Sequence, residues 1–415
     1  MPALGLQARE GLSTQSSLRK QGPIRRALSI DCGVWVPVLR PGRRRCVLAV
    51  TLMSRFSHTL LRGLLLALCA LVAGVSSAVA DNPYYKGKRV TVLINFTAGG
   101  PTDIEGRLFA KHLADHIESR PQVIVQNMDG AGGMIGAGYL GEVAPKDGTM
   151  VGYFTGTAWR YANAPERFRT DFRTYDFLAY QPGSTVYYAR GDVAPGLKDA
   201  ADIVKAQDLV AGGLGAENAK DLLIRLALDM LGVPYRYVTP FPGSQAARLA
   251  LLRNEINFFS ESPPSYRAVI AGLVKDGTVI PIFFDPEWNG ERLTISKQVE
   301  GLPMLPFQEL YRKVKGSLPS GQLWDAYLTI LSINSAMQRT IVLPPHSPPA
   351  AIAALRDAIE ELNHDQSYAE EANKTLGFAP EWVAGPETNA QVRRALSITP
   401  QMRTFIANYV KSGKK

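Results

Sequence analysis

The stretch VTVLINFTAGGPTD, Val90 to Asp103, holds three signals in succession. Val90–Phe96 is apolar and rich in β-branched side chains, which predicts a buried strand. Ala98-Gly99-Gly100-Pro101 then breaks it, because neither a strand nor a helix interior tolerates such a run. Thr102 and Asp103 are N-cap types, and Ile104, Leu108, Leu113 and Ile117 come next at roughly helical spacing. A strand, a glycine turn and a helix start leave backbone N–H groups and a positive dipole end facing outward, which is the chemistry of an anion site. Many such turns only reverse the chain, so a single one does not define a site.

The pattern repeats. QVIVQ (Gln122–Gln126) predicts a second strand, NMDGAGG (Asn127–Gly133) a second glycine loop, and MIGAGYLGEVA a short helix with small residues for close packing. Gly130, Gly132 and Gly136 resemble a dinucleotide fingerprint. Its third glycine is misplaced by one, and the acid at the right distance, Asp147, falls in a turn. TMVGYFT (Thr149–Thr155) predicts a third strand, and Leu178–Tyr188 a fourth, interrupted at Pro182-Gly183. This order implies a partly parallel sheet whose ligands sit beyond the carboxyl ends of its strands.

After Pro195-Gly196 comes a second unit of the same build. Strands are predicted at 208–211, 235–238, 256–259 and 278–284, with helices after the turns Gly212–Ala216 and Pro240–Ser244 and over 266–273. The helix after Ala216 is stopped by Gly232. YLTILSI (Tyr327–Ile333) reads as a strand crossing between the units. Helices are predicted over 349–363 and 366–376, with two more within 386–412.

The 415 residues suffice for two or three domains, and the 46% hydrophobic and 20% charged content is that of a globular chain. The net charge of +9 belongs to the N-terminal part: residues 1–80 hold 11 of the 46 basic and 2 of the 37 acidic residues. The rest is neutral, which gives no electrostatic case for a nucleic-acid partner. Cys32, Cys46 and Cys69 also precede residue 81, so the body has no thiol chemistry, disulfide or cysteine metal site.

Met53 opens a secretory signal: Arg55 and Arg62, an apolar core from Gly63 to Val75, and the cleavage site Ala78-Val79-Ala80. The apolar core is short of the ~20 residues of a membrane span. The mature chain is expected to start at Asp81 in the periplasm, with 53–80 as signal peptide. Residues 1–52 are expected to be a mis-annotated extension, translation starting at Met53.

NFTAGGPTDIEGRLFAKHL and VIVQNMDGAGGMIGAGYLGEVAPKDGTMVGYF, with YRYVTPFPGSQAARLALL and VLPPHSPPAAIAALRDAIEELNHD later on, resemble the substrate-binding proteins of tripartite tricarboxylate transporters, the Bug family. The resemblance covers essentially all of 81–415. It implies an α/β, two-lobed periplasmic binding protein (type II-like), each lobe a mostly parallel sheet flanked by helices, with the ligand cleft between the lobes. It also implies lobe 1 from 81–187 plus 340–415 and lobe 2 from 188–339. The implied partners are a small organic acid and the membrane subunits of a secondary transporter, with a monomeric receptor and no cofactor.

By motif, the resemblance implies a ligand site on Phe96, Thr97, Ala98, Gly99, Gly100, Thr102 and Asp103, and on Ala131, Gly132 and Gly133. The second-lobe candidates are Gly213, Gly215, Ala216, Asn218, Phe241, Gly243 and Ser244. Thr155 and Thr157 end a strand that faces the same cleft. The family's usual Ser and His-Leu in the third loop are replaced by Ala216, Asn218 and Lys220-Asp221, its Pro-Tyr-Lys-Gly by Pro240-Phe241-Pro242-Gly243, and its strand acid by Asn257. These departures leave the fold intact and the ligand class open.

Asp103 reads as an N-cap or as a partner for a polar ligand group. Trp159, Arg160, Phe241 and Glu261 are further cleft candidates, Arg160 being the natural counter-charge for an acid. His112 and His116, at i, i+4, have a metal-capable spacing but no third ligand, so they read as a solvated helix face and no metal is expected. No nucleophile motif in its structural context is visible, which argues against an enzyme. A periplasmic sensor using the same clamp stays open as an alternative to transport.

Overall fold

The opening stretch folds into β1 (Arg89–Ile94) and α1 (Pro101–His116), followed by β2 (Gln122–Asn127), α2 (Met134–Glu142), β3 (Met150–Thr155) and α3 (Thr157–Asn163). The computed structural model describes residues 83–288 and 290–413. The N-terminal extension, the signal peptide and its cleavage point at Asp81 lie outside the described residues. Helix α1 starts two residues earlier than the first of its cap types, Thr102, suggests. Gly100 is the N-cap and Pro101 fills the first turn, where a missing N–H costs nothing.

β1 pairs in parallel with both neighbours, Ile94 standing opposite Asn127 of β2 and Tyr153 of β3. Their carboxyl ends are therefore level, and the loops beyond them lie side by side. The interrupted strand proves to be two, β4 (Asp176–Gln181) and β5 (Val186–Arg190), which belong to different sheets. The break at Pro182-Gly183 is the passage between them.

The second sheet holds β6 (Leu209–Gly212), followed by α4 (Ala219–Leu231), β7 (Tyr235–Val238), α5 (Ser244–Leu252), β8 (Phe258–Glu261) and β9 (Val279–Phe284). A helical segment, 263–275, separates β8 from β9. After a small hairpin, β10 (Glu287–Trp288) and β11 (Leu293–Thr294), come β12 (Leu305–Pro306), α6 (Phe307–Lys315) and α7 (Gln322–Asn334). The chain then returns to the first sheet as β13 (Arg339–Leu343), followed by α8 (Pro349–Leu362), α9 (Gln366–Leu376), β14 (Val383–Ala384), α10 (Thr388–Ala395) and α11 (Pro400–Lys411).

The strand orders are β14-β4-β13-β3-β1-β2 and β12-β9-β5-β8-β6-β7. Both sheets are mixed. The βαβ units are parallel, and the strands entered through the crossings, β5 and β13, pair antiparallel with their neighbours. The two crossings bind each other: Gly183 N–H donates to the Ser335 carbonyl at 2.7 Å, and Gln338 Nε2 to that of Ser184 at 2.8 Å.

The run expected to cross as a strand, Tyr327–Ile333, is the core of helix α7, and the crossing strand is β13. Ala326, Tyr327, Ile330, Leu331 and Ile333 are buried at helical spacing, a period that is hard to read in a mostly apolar run of seven residues. His112 and His116 are also not a solvated face. His112 is 6% exposed and bonds Glu371 at 2.8 Å, and His116 bonds Asp365 at 2.9 Å, tying α1 to α9.

One apolar cluster runs through both sheets, from Leu93, Phe154 and Phe177 to Tyr187, Leu209 and Phe258, with α4 and α7 between them. Separate clusters fill the far face of each sheet. Two buried charged features flank the crossings. Glu105 and Arg339, each 3% exposed, pair at 2.5 Å. Asp285, fully buried, accepts from Tyr187 at 2.7 Å and from Tyr327, while its carbonyl accepts from Ser184.

Burial pushes the Asp285 carboxyl up to about 7, against the tyrosine hydrogen bonds that favour its charged form. The folded protein therefore holds this proton to higher pH than the unfolded chain does. Stability should be greatest below about pH 4 for this group and fall as pH rises towards 7, by on the order of 4 kcal/mol. Urea melts of the wild type and of Asp285→Asn between pH 5 and pH 8 check this. The difference between the two proteins should carry the slope, and parallel curves would contradict it.

Candidate functional site

Three loops of the first sheet meet at the carboxyl ends of β1, β2 and β3, and Asn95 organises them. This residue, 0% exposed, donates from Nδ2 to the Gly133 and Thr155 carbonyls and to Thr157 Oγ1, and accepts the Thr155 N–H at 3.0 Å. It is not among the sequence candidates. Its only local signal is an amide at the end of an otherwise apolar strand. Asn95→Ala leaves several buried polar groups without partners, so it should cost about 1–3 kcal/mol of stability and weaken ligand binding. Thermal melts with and without ligand check both effects.

The first loop is held by its own helix. Asp103 Oδ2 accepts from Gly99 N–H at 2.8 Å and from Arg107 at 2.9 Å, and Oδ1 accepts from Asn127 at 2.9 Å. Burial opposes its charge, but those hydrogen bonds outweigh it and hold the carboxyl below its ordinary value. Asp103 therefore shapes the loop rather than presenting an acid to a ligand. Thr97, Ala98 and Gly99 are exposed, Phe96 and Gly100 half-buried, and Thr102 Oγ1 pairs with Thr155 Oγ1 at 3.1 Å.

The second sheet repeats the device. Asp221, third residue of α4, accepts from Gly215 N–H at 2.6 Å and from Tyr237 at 2.9 Å, much as Asp103 accepts from Gly99. Burial raises its carboxyl, opposed by Lys220 and by those two donors. Register places Gly212 opposite Val238, so the loops after β6 and β7 lie together. Gly213 N–H donates to Val238 and its carbonyl accepts from Phe241 N–H at 3.0 Å. Phe241 packs on the apolar cluster below, while Gly243 has open space where a side chain would stand.

Four candidates thus build the loops from inside. Gly133 and Gly213 spend their backbone polar groups internally, Thr157 is taken by Asn95, and Asp103 by Gly99. Of the second-loop candidates, Gly132 lies against Arg160. Gly132 has a φ of +64°, and a Cβ there would fall on the Arg160 guanidinium. Arg160 donates to Asn218 Oδ1, the N-cap residue of α4, and so bridges the two halves. Next to it Trp159 Nε1 donates to the Glu217 carbonyl at 2.9 Å, and Arg167 pairs with the Glu217 carboxylate. Gly215 and Ala216 lie half-buried in the same loop.

Burial pushes the Arg160 guanidinium down from its ordinary range, against the pull of Asp221 and Glu217. Among the described residues it forms an amide contact but no ion pair. The arrangement sets a desolvated cation on one glycine loop and against the helix start of another, the kind of chemistry that can take an anion.

No family model matches the chain. A protein of Agrobacterium vitis described as "UPF0065 protein in the TAR-I ttuE-ttuC' intergenic region" is 30% identical over 222 residues, 52% of this chain and 60% of that protein. The chain thus spans about three fifths of the length of the curated relatives it matches, 60% and 61%. Among solved structures, the periplasmic binding protein BugD superposes with a TM-score of 0.55 at 20% identity, over 79% of this chain and 99% of that one. MatC of Rhodopseudomonas palustris, solved with malate bound, gives 0.51 at 19% identity, over 78% and 98%. The described chain has the α/β, two-lobed fold of the Bug and TctC periplasmic binding proteins.

Proposed function

We propose that this protein is a periplasmic solute receptor of the Bug family. It captures a small organic acid between its lobes, 81–187 plus 340–415 and 188–339, and delivers it as a monomer to the membrane subunits of a tripartite tricarboxylate-type transporter. The observation that carries the reading is Arg160, desolvated, without an ion pair among the described residues, and lying on Gly132 against Asn218. An acid seated there takes hydrogen bonds from the guanidinium and from first-turn N–H groups of α1 and α4, which helix geometry leaves without intrahelical partners. The malate in MatC is a carboxylate on the same fold, which supports the ligand class.

The site binds and releases without turnover. A thermal-shift screen of mono-, di- and tricarboxylates, aromatic acids and amino acids tests the reading. A true ligand at a hundredfold excess over its Kd adds about 2.7 kcal/mol of stability. A screen in which no acid raises the melting temperature would contradict it.

A further inference from the structure

Helix α4 is mostly apolar, yet it carries a charged stripe at every fourth position: Asp221, Arg225 and Asp229. Asp221 is 0% and Arg225 3% exposed. Charges on a buried helix face need partners, and here β7 and α11 supply them. Tyr237 of β7 donates its hydroxyl to Asp221 at 2.9 Å, and Asp221 in turn accepts from Gly215 N–H at 2.6 Å. The same tyrosine lies so close to Gly213 that a Cβ there would fall on its hydroxyl. Tyr237 is thus the support on which the third glycine loop rests.

Arg225 lies over the Tyr237 ring, 5.3 Å from its centre, and over the ring of Tyr409 in α11, at 4.9 Å. It donates from Nη2 to the Tyr409 carbonyl at 3.2 Å, while the Tyr409 hydroxyl donates to Asp229 at 2.6 Å. Earlier in α11, Ile406 is 1% exposed, and Arg403 Nη2 donates to the Ala162 carbonyl of α3 at 3.1 Å. Helix α3 carries Arg160, and Asn218 is the N-cap residue of α4. The C-terminal helix therefore braces the two helices whose ends meet in the Arg160–Asn218 contact.

We propose that Tyr409 and Arg225 are positioning residues for the ligand site: from behind, α11 holds Tyr237 against Gly213 and Asp221 and so keeps the third glycine loop, 213–218, in its binding shape. This rests on the reading of the site as a solute receptor. Both residues act through Tyr237 rather than on the ligand. A loop already held in shape spares the ligand the cost of selecting that shape, so a loosened loop binds more weakly.

Amide hydrogen exchange of the ligand-free protein tests it. In Tyr409→Leu, exchange over 213–218 should speed by about threefold to thirtyfold, while 96–103 and 131–133 stay within about twofold of the wild type. Tyr409→Phe keeps the ring and should stay close to the wild type. Arg225→Lys keeps the charge without the planar group and should act like Tyr409→Leu, which it replaces should that variant fail to fold. Carboxylates of the screen that bind the wild type should bind Tyr409→Leu more weakly by a similar factor. Unchanged exchange over 213–218, exchange sped equally in the loops of both sheets, or undiminished affinity would overturn the inference and leave the receptor reading standing. Failure of every carboxylate to bind the wild type would overturn the receptor reading, whatever the exchange shows.

Discussion

Gly132→Asp is expected to abolish ligand binding while leaving the protein folded. Gly132 sits at a φ of +64°, so any side chain adds strain on the order of 1–2 kcal/mol. The larger effect is electrostatic. The new Cβ projects onto the Arg160 guanidinium, and an aspartate there supplies from within the chain the carboxylate that the ligand otherwise brings. Losing a desolvated charge partner costs roughly 2–5 kcal/mol of affinity, about thirtyfold to more than a thousandfold. Gly132→Ala separates the two contributions, since it displaces the arginine without neutralising it and should lose less. Calorimetry with the acid found by screening measures both variants. Affinity unchanged in Gly132→Asp would remove Arg160 and the second glycine loop from the site.

Glu105→Ala should destabilise the fold by about 3–5 kcal/mol, because it leaves the Arg339 guanidinium buried without its counter-charge. The pair is strategically placed. Glu105 lies in the second turn of α1, and Arg339 opens β13 directly after the chain has crossed back from the second sheet. It therefore fastens the first glycine loop's helix to the crossing. The paired replacement Glu105→Leu with Arg339→Met removes both charges and should cost much less than either single change. Urea unfolding of Glu105→Ala, Arg339→Met and the paired replacement checks the pattern. A single-variant loss below about 1 kcal/mol would mean that the pair is solvated and makes no structural contribution.

The glycine loops are legible in the sequence because glycine and proline act locally: Gly99-Gly100-Pro101 and Gly130 to Gly133 end a strand and open a helix whatever surrounds them. The helices over 349–362 and 366–376 are legible for the same reason, by period and by the prolines before the first. The features that escape such a reading are non-local. Asn95 matters only because Thr155 and Thr157, about sixty positions away, arrive beside it. Asp103 and Asp221 carry cap-type side chains, but their partners are glycines bent back in the preceding loop, which spacing alone does not distinguish from a ligand contact. The segment 327–333 reads wrongly as a strand because its five apolar residues, interrupted only by Thr329 and Ser332, fit a short strand and a buried helix alike.

Hydrogen–deuterium exchange of the protein with and without a saturating acid tests most directly whether the loops of both sheets close on one ligand. The account predicts slowed exchange in 96–103, 131–133, 213–218 and 241–244 together. Protection confined to one sheet's loops, or appearing only elsewhere on the molecule, would contradict it.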